Sequence, residues 1–425
     1  MTAPRRLRWG IAALAACTLG LGALGAGPAT AANDVLDPST RLFIDAHSTT
    51  KQAALSLKGQ AKQDALLLSR IPSASWFTSG SPTQVQDEVA ALVKRTGQKV
   101  PVLVAYNLPF RDCAQYSAGG AAGVEEYKAW IDGFAAGIGD EDAVVVLEPD
   151  GLGIIPWYTT IDGVQEWCQP AEVDAETAAA ERFEMLNYAV DRLQEQPNVA
   201  VYLDGTHPAW LNVGDITDRL VKAGVQDADG FFLNVSNYEF TENNVQYGTW
   251  ISSCIAYVTQ VSPGDYGSCG NQYWSGGPAN GWTGVALSPT AVWSDTAADP
   301  TANTAGVNSR YDLILGDVDP TTHFVVDTSR NGQGPWSVPA GTYPNNETWC
   351  NPPDRGLGLR PTTVTGNDLV DAYLWIKVPG ESDGQCYRGT GGPTDPARGM
   401  VDPPAGQWFP EQARELIELA APPVG

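Results

Sequence analysis

Ala143-Val-Val-Val-Leu147, followed at once by Glu148-Pro149-Asp150, decides how the rest of the chain is read. Five consecutive apolar residues, three of them β-branched, leave no polar face for water. Such a strand is buried on both sides, as strands of a parallel sheet are. The same kind of run recurs at Pro101–Tyr106, Val199–Leu203, Gly230–Val235, His323–Val326 and Asp371–Ile376, with an earlier one at Ser73–Phe77. Between them, apolar residues fall at helical spacing: Val85, Val89, Leu92 and Val93; Val124, Tyr127, Ile131, Phe134 and Ile138; Phe183, Leu186, Val190 and Leu193. Strand–helix alternation implies an α/β fold built on a parallel sheet, open or closed into a barrel. About seven strands in a chain of this length fit a barrel with long insertions better than a nucleotide-binding sheet. No G-x-G-x-x-G follows the first strand, and there is no phosphate loop.

Outward from these strands, acids gather at the C-terminal ends. Pro101–Tyr106 leads into Asn107-Leu-Pro-Phe-Arg-Asp-Cys113, and Ala143–Leu147 into Glu148 and Asp150. Val199–Leu203 ends at Asp204, His323–Val326 at Asp327, and Asp371–Ile376 runs through Lys377 to Glu381 and Asp383. A single such acid is more often a helix cap. In a parallel barrel, however, all these ends share one face, and that face holds the active site. Arg111, Arg330, Lys377 and His207 lie beside them.

Composition narrows the chemistry. The chain has 425 residues, 49 acidic and 25 basic side chains and a formal charge of −24. That surface repels polyanions, which excludes nucleic acid as a partner. With His47, His207 and His323 as the only histidines, a multi-histidine metal enzyme is hard to build, and neither metal nor cofactor is expected. Carboxylates without metal ligands suit glycoside hydrolysis, in which one acid protonates the leaving oxygen and a second carboxylate activates water. Neighbouring acids keep one member protonated. The 14 tryptophans include Trp76, Trp130, Trp157, Trp167, Trp210, Trp336, Trp349 and Trp375, spread among loops and strand ends. Core packing accounts for most buried tryptophans. Trp210 and Trp349, in polar loops beside the acids, are read as sugar platforms.

Residues 1–31 read as a secretion signal: Arg5, Arg6 and Arg8, an apolar stretch from Ile11 to about Ala26, then Ala29-Thr30-Ala31. Residues 32–425 read as one catalytic domain with no linker or separate binding module, secreted, monomeric and without a membrane segment. Cleavage after Ala31 removes three arginines and no acid, taking the charge from −24 to −27. It also removes Cys17, leaving Cys113, Cys168, Cys254, Cys269, Cys350 and Cys386. Six cysteines in an exported chain read as three disulfides, with proximity favouring Cys254–Cys269 and the other pairs open.

Several stretches together resemble glycoside hydrolase family 6, the inverting cellulases. They are Tyr106-Asn-Leu-Pro-Phe-Arg-Asp-Cys113 with Ser117-Ala-Gly-Gly120, Val145-Val-Leu-Glu-Pro-Asp150, Ile71-Pro-Ser-Ala-Ser-Trp76, Leu203-Asp-Gly-Thr-His-Pro-Ala-Trp210, Asp327-Thr-Ser-Arg330, Trp349-Cys350 and Lys377-Val-Pro-Gly-Glu-Ser-Asp383. The resemblance implies a distorted seven-stranded parallel β/α barrel with long active-site loops. It implies Asp150 as general acid, Asp112 raising the pKa of Asp150 and stabilising positive charge at the sugar, Tyr106 beside the distorted ring and Ser117 holding the attacking water. Asp383 is the implied base, with a water chain toward Asp112 as the alternative. Trp76, Trp210 and Trp349 would be platforms; Arg111, Asp204, His207, Asn237, Arg330, Lys377 and Glu381 would line sugar subsites. Cys113–Cys168 and Cys350–Cys386 follow from the same resemblance.

The implied partner is a β-1,4-glucan, cellulose or soluble cello-oligosaccharides. A long stretch from Asp383 to Gln407, pinned by Cys386, favours a covered site and a cellobiohydrolase. Val213, where chain-end members of the family carry a second tryptophan, favours an open-cleft endoglucanase. A non-catalytic glucan-binding protein on the same fold is the remaining alternative, disfavoured by the presence of both Asp112 and Asp150. Residues 252–300 look like an insertion without an assigned task.

Overall fold

Seven parallel strands pair in strict chain order: β1 (Ser75–Phe77), β2 (Val102–Ala105), β3 (Ala143–Leu147), β4 (Val199–Asp204), β5 (Gly230–Leu233), β6 (His323–Asp327) and β7 (Val370–Leu374). This computed structural model describes residues 34–424, so the expected secretion signal lies outside the described residues. Every expected strand is present, displaced by no more than a few residues at its ends. The sheet curls into a barrel that is not fully laddered between β7 and β1. There the backbone N–H of Ala74 reaches the Trp375 carbonyl at 2.9 Å, and the Trp76 indole N–H reaches the Ile376 carbonyl at 2.8 Å.

Strands buried on both faces still obey a period of two. In β2, Val102 and Val104 point into one apolar cluster while Leu103 and Ala105 point into another. In β3, Val144 and Val146 join the first cluster, and Ala143, Val145 and Leu147 the second. The first cluster is the barrel interior, completed by Ala200, Tyr202, Phe232, Val325 and Ala372. Val35 and Leu36, in a short turn before the first strand, pack into the same cluster. The second cluster is the seam between sheet and surrounding helices.

The helices are α1 (Thr49–Ser56), α2 (Gly59–Leu68), α3 (Pro82–Val93), α4 (Val124–Ile138), α5 (Ala178–Gln194), α6 (Val213–Lys222), α7 (Thr241–Ala256), α8 (Ala305–Leu315) and α9 (Pro410–Glu418). The expected apolar faces are the buried ones: Val85, Val89, Leu92 and Val93 on α3, and Tyr127, Ile131, Phe134 and Ile138 on α4. A capping box starts α3, with Ser81 accepting from the Gln84 N–H and the Gln84 side chain accepting from the Ser81 N–H. α3 and α4 approach closely because Gly133 and Gly137 lie between them; a Cβ on Gly133 would come within 2.1 Å of the Pro82 carbonyl oxygen. Three disulfides form, Cys113–Cys168, Cys254–Cys269 and Cys350–Cys386. They are the proximity pair and the two pairs that the family resemblance implied.

Candidate active site

A cleft of about 710 Å³ opens at the C-terminal ends of the strands. The residues lining it include Trp76, Tyr106, Arg111, Asp112, Ser117, Asp150, His207, Trp210, Asn237, Trp349, Lys377, Glu381 and Asp383. Thirteen of the fifteen expected site residues therefore meet in one place. The two exceptions are Asp204 and Arg330, which are buried beneath the wall and do not line the cleft.

Their positions correct the reading of strand-end acids. Asp204 is only 2% exposed; its carboxylate accepts from the backbone N–H groups of Leu152 and Gly153, both at 3.1 Å, and of Thr206 at 2.8 Å. Glu148, fully buried, accepts from Asn107 and Leu108 N–H groups at 2.9–3.0 Å. Asp327 accepts from Ser329, Ile376 and Lys377. Each of these acids fastens a neighbouring strand's loop by neutralising backbone donors that would otherwise be buried unpaired. Glu148 holds the loop after β2 against the end of β3, and so sets Asp112 beside Asp150. The strand-end acids thus divide into fasteners (Glu148, Asp204, Asp327) and cleft groups (Asp112, Asp150, Glu381, Asp383).

The backbone is strained where these acids sit. Phe110, Asp112, Cys113, Glu148, Asp150, Thr206, Asn234 and Ser236 all have φ between 46° and 69°, in the left-handed region. All follow β2, β3, β4 or β5. L-residues adopt that region at a cost and hold it only where surrounding contacts over-determine it.

Electrostatics separate the cleft acids. Burial raises Asp150 well above the ordinary carboxylate range; the nearby carboxylates of Asp204, Asp112 and Asp383 raise it further, and Lys377 opposes them only in part. Burial also raises Asp112, against the Ser117 N–H at 2.7 Å from its Oδ2 and against the Arg111 charge. For Asp383 burial works upward too, but the Arg330 and Lys377 charges and hydrogen bonds from Arg330 and the Asn351 N–H outweigh it, leaving the group below the usual range. Arg330 Nη1 lies 3.0 and 2.9 Å from the two Asp383 oxygens, Lys377 Nζ lies 3.3 Å from Oδ1, and the Tyr238 hydroxyl donates to Oδ2 at 3.1 Å. Arg330 itself is fully buried, stacked over the Tyr238 ring at 4.3 Å.

The rest of the cleft is built to hold an uncharged, ring-shaped ligand. Trp76 meets Tyr106 edge to face at 5.5 Å, and the Arg111 guanidinium carbon lies 4.6 Å from the Tyr106 ring centre. Arg111 is anchored on the carbonyls of Ser117, Thr78 and Tyr106. His207 is tilted against Trp210 at 5.7 Å, its Nδ1 accepting from the Ala209 N–H at 3.3 Å. Burial lowers its pKa to about 3, so the ring is neutral, and with Nδ1 accepting the proton sits on Nε2. Glu381 accepts a short hydrogen bond from the Thr49 hydroxyl, and Asn237 holds the Val235 carbonyl. Val213 is fully buried at the start of α6 and offers nothing to the cleft.

Tyr116, Tyr238 and Glu239 also line the cleft without being among the expected site residues, and Trp336 stands in the sequence reading only as one of the scattered tryptophans. Tyr116 bridges the two loops flanking the site: its hydroxyl lies 3.2 Å from Glu347, and its ring lies 5.6 Å from Tyr387 and 5.8 Å from Trp349. Tyr238 supports Asp383. Trp336 lines the cleft and stacks on Arg388. Glu239, 5% exposed, turns one oxygen to within 3.9 Å of His207 Nδ1 and leaves the other without a partner, and burial raises its pKa to about 8. None ends a strand run or sits in a motif; Asn351 alone, which joins Asp383, Ser382 and Asp402, shows why. Among the described residues, Cys386, Asp395 and Asp402 come close enough to share a cation, but the sulfur is bonded to Cys350 and Asp395 pairs with Arg388.

A parallel barrel with paired, oppositely tuned carboxylates in an aromatic cleft is the arrangement of a glycoside hydrolase. The chain belongs to the glycosyl hydrolases family 6, whose model matches residues 38–420. It is 33% identical to endoglucanase 1 of Streptomyces halstedii across 97% of this chain and 98% of that one. It is 29% identical to a probable 1,4-β-D-glucan cellobiohydrolase C of Aspergillus terreus, across 83% of this chain and 68% of the relative. Among solved structures, the endoglucanase Cel6 of Mycobacterium tuberculosis, in complex with methyl-cellobiosyl-4-deoxy-4-thio-β-D-cellobioside, matches with a TM-score of 0.61 and 29% identity. That match covers 90% of this chain and 97% of the other.

Proposed function

We propose that this protein is a secreted cellulase that hydrolyses β-1,4-glucan with inversion, releasing cellobiose from chain ends. The opposite tuning of Asp150 and Asp383 in one cleft carries the reading. Asp150, kept protonated, donates to the glycosidic oxygen as the bond breaks. Asp112, beside it, raises its pKa while ionised and offsets positive charge growing on the sugar. Asp383 stays ionised at working pH, but its lone pairs are committed to Arg330, Lys377, Tyr238 and Asn351. A general base needs a free lone pair and a pKa near the working pH. Asp112 meets both conditions better, so the water proton passes to Asp112, with the water held near Ser117, while Asp383 serves as a fixed negative charge. Trp76, Trp210 and Trp349 stack on sugar faces, and His207, Asn237, Lys377 and Glu381 bind hydroxyls.

Chain-end action is supported by Tyr116. It joins the loop after β2 to the loops after β6 and β7, and a Cβ on Gly384 would come within 2.6 Å of it. A cover of this kind over the cleft suits threading of a chain end. The endo reading is favoured by the 33% identity to an endoglucanase and by buried Val213.

Product analysis on amorphous cellulose alongside carboxymethylcellulose viscosity separates the two. Cellobiose with little loss of viscosity is expected; a rapid fall in viscosity establishes endo action. Asp150→Asn is expected to lower kcat by about 10²–10⁴-fold while binding persists. Near-wild-type turnover in that variant removes Asp150 from its role, and β-anomer product at early times by NMR removes inversion.

A further inference from the structure

The segment between α7 and α8 contributes no barrel strand, and the proposed mechanism uses none of its side chains. It nevertheless exposes Tyr273, Trp274 and Trp282, at 48%, 43% and 46%. Exposed aromatic surface of this kind marks a binding face more often than an accident. The two indole rings are 6.3 Å apart and 27° from parallel, too far for a face-to-face stack. Arg310 lies against both, its guanidinium carbon 4.5 Å from one ring centre and 5.6 Å from the other. Those three distances put the carbon about 4 Å off the line joining the rings, one van der Waals thickness. The indoles are therefore laid side by side over a single cation. Arg310 is 6% exposed, and its Nε and one Nη have no hydrogen-bond acceptor, so its charge rests on the rings. Gly276 lets backbone pass against Trp274, where a Cβ would come within 2.5 Å of the indole. The pair is held in place before any ligand arrives.

This shelf is tied to the loop that carries Trp210, a residue of the cleft wall. Gln272 Nε2 donates to the Pro208 and Leu211 carbonyls, both at 2.9 Å, and the Tyr273 hydroxyl donates to the Trp210 carbonyl at 2.6 Å. The aromatic strip thus starts where the Trp210 platform ends.

We propose that Tyr273, Trp274 and Trp282 form a binding surface for the β-1,4-glucan chain where it extends beyond the cleft past Trp210. The proposal rests on the substrate class assigned above. Pyranose rings present C–H faces that pack on indoles without any charge, which suits a neutral polymer beside a protein of net charge −24. A short oligosaccharide confined to the cleft does not reach the shelf.

The test uses two single variants. Trp282 has φ 63°, so Trp282→Asn removes the ring with a residue that tolerates the left-handed backbone. Trp274→Ala removes the other ring. Retardation on native gels containing hydroxyethylcellulose, KM on amorphous cellulose and kinetics on cellotetraose are measured with Tm as the control for folding. Each variant is expected to weaken retardation and raise polymer KM by up to about tenfold, while cellotetraose kinetics stay unchanged. Full polymer affinity in a variant with wild-type Tm overturns the proposal, as does an equal loss on polymer and cellotetraose. If Trp282→Asn has a lowered Tm, retardation of Trp274→Ala decides, and the reverse. Loss of a dimer at unchanged glucan affinity assigns the patch to self-association instead. If the wild type is retarded but cleaves no β-1,4-glucan, the catalytic reading fails and the gel alone decides the shelf; if the wild type is not retarded, the shelf fails.

Discussion

Asp150 and Asp383 face one cleft from opposite sides of the barrel, and their surroundings drive their protons in opposite directions. On the β2–β4 side, Asp112 and Asp204 crowd Asp150 with like charge, and Lys377 offsets burial and those charges only in part. On the β6–β7 side, Arg330 and Lys377 meet Asp383 directly, and Asn351 and Tyr238 add hydrogen bonds. Both groups are buried, so burial alone does not set a carboxyl's state. The sign and distance of the nearest charge decide it. Two acids separated in this way provide a donor and an anion at one pH.

The larger expected effect on stability lies on the Asp383 side. Arg330→Leu leaves the buried Asp383 carboxylate with Lys377 as its remaining cation and is expected to cost about 3 kcal/mol of stability, read by urea unfolding. A loss below 1 kcal/mol would show that Asp383 does not depend on Arg330. On the other side, Asp112→Asn removes the proposed base, so kcat is expected to fall by about 10²–10⁴-fold. It also removes a like charge from Asp150, which the residual activity still reports. The alkaline limb of the kcat–pH profile is then expected to move down by about one pH unit, worth roughly 1.4 kcal/mol. An unmoved limb would show that Asp112 does not tune Asp150.

A smaller effect comes from the other buried acids. Burial raises Asp204 to about 6, Glu148 and Asp402 to about 7 and Glu239 to about 8. Groups raised in the folded state hold more protons there than in the unfolded chain between about pH 4 and 8. Stability is therefore expected to fall as pH rises through that window, with a higher Tm at pH 5 than at pH 8. Glu239→Gln should make that slope shallower, most visibly between pH 5 and 8; an unchanged slope would show that Glu239 titrates normally.

The barrel was legible because its strands are continuous apolar runs and its helices carry periodic faces. Both signals are local and need no knowledge of contacts. Asp112, Asp150 and Asp383 were legible because motifs place them at strand ends. Asp204 shows the limit: at sequence level it is another strand-end acid, but its carboxylate faces the N–H groups of Leu152 and Gly153. Glu239 and Tyr116 carried no local mark, since one is defined by a missing partner and the other by loops more than 200 residues apart in the chain.

The sequence by itself determined the α/β class, the places of the strands along the chain, the excess of acid and the residues gathered at one barrel face. It did so because burial periodicity and motif spacing are properties of neighbouring residues. Only the tertiary structure decided which acids fasten loops and which face the cleft, which neighbours drive Asp150 and Asp383 in opposite directions, and where the tryptophans of the 252–300 segment lie. Those outcomes depend on through-space charge, desolvation and hydrogen-bond partners, which chain order does not encode.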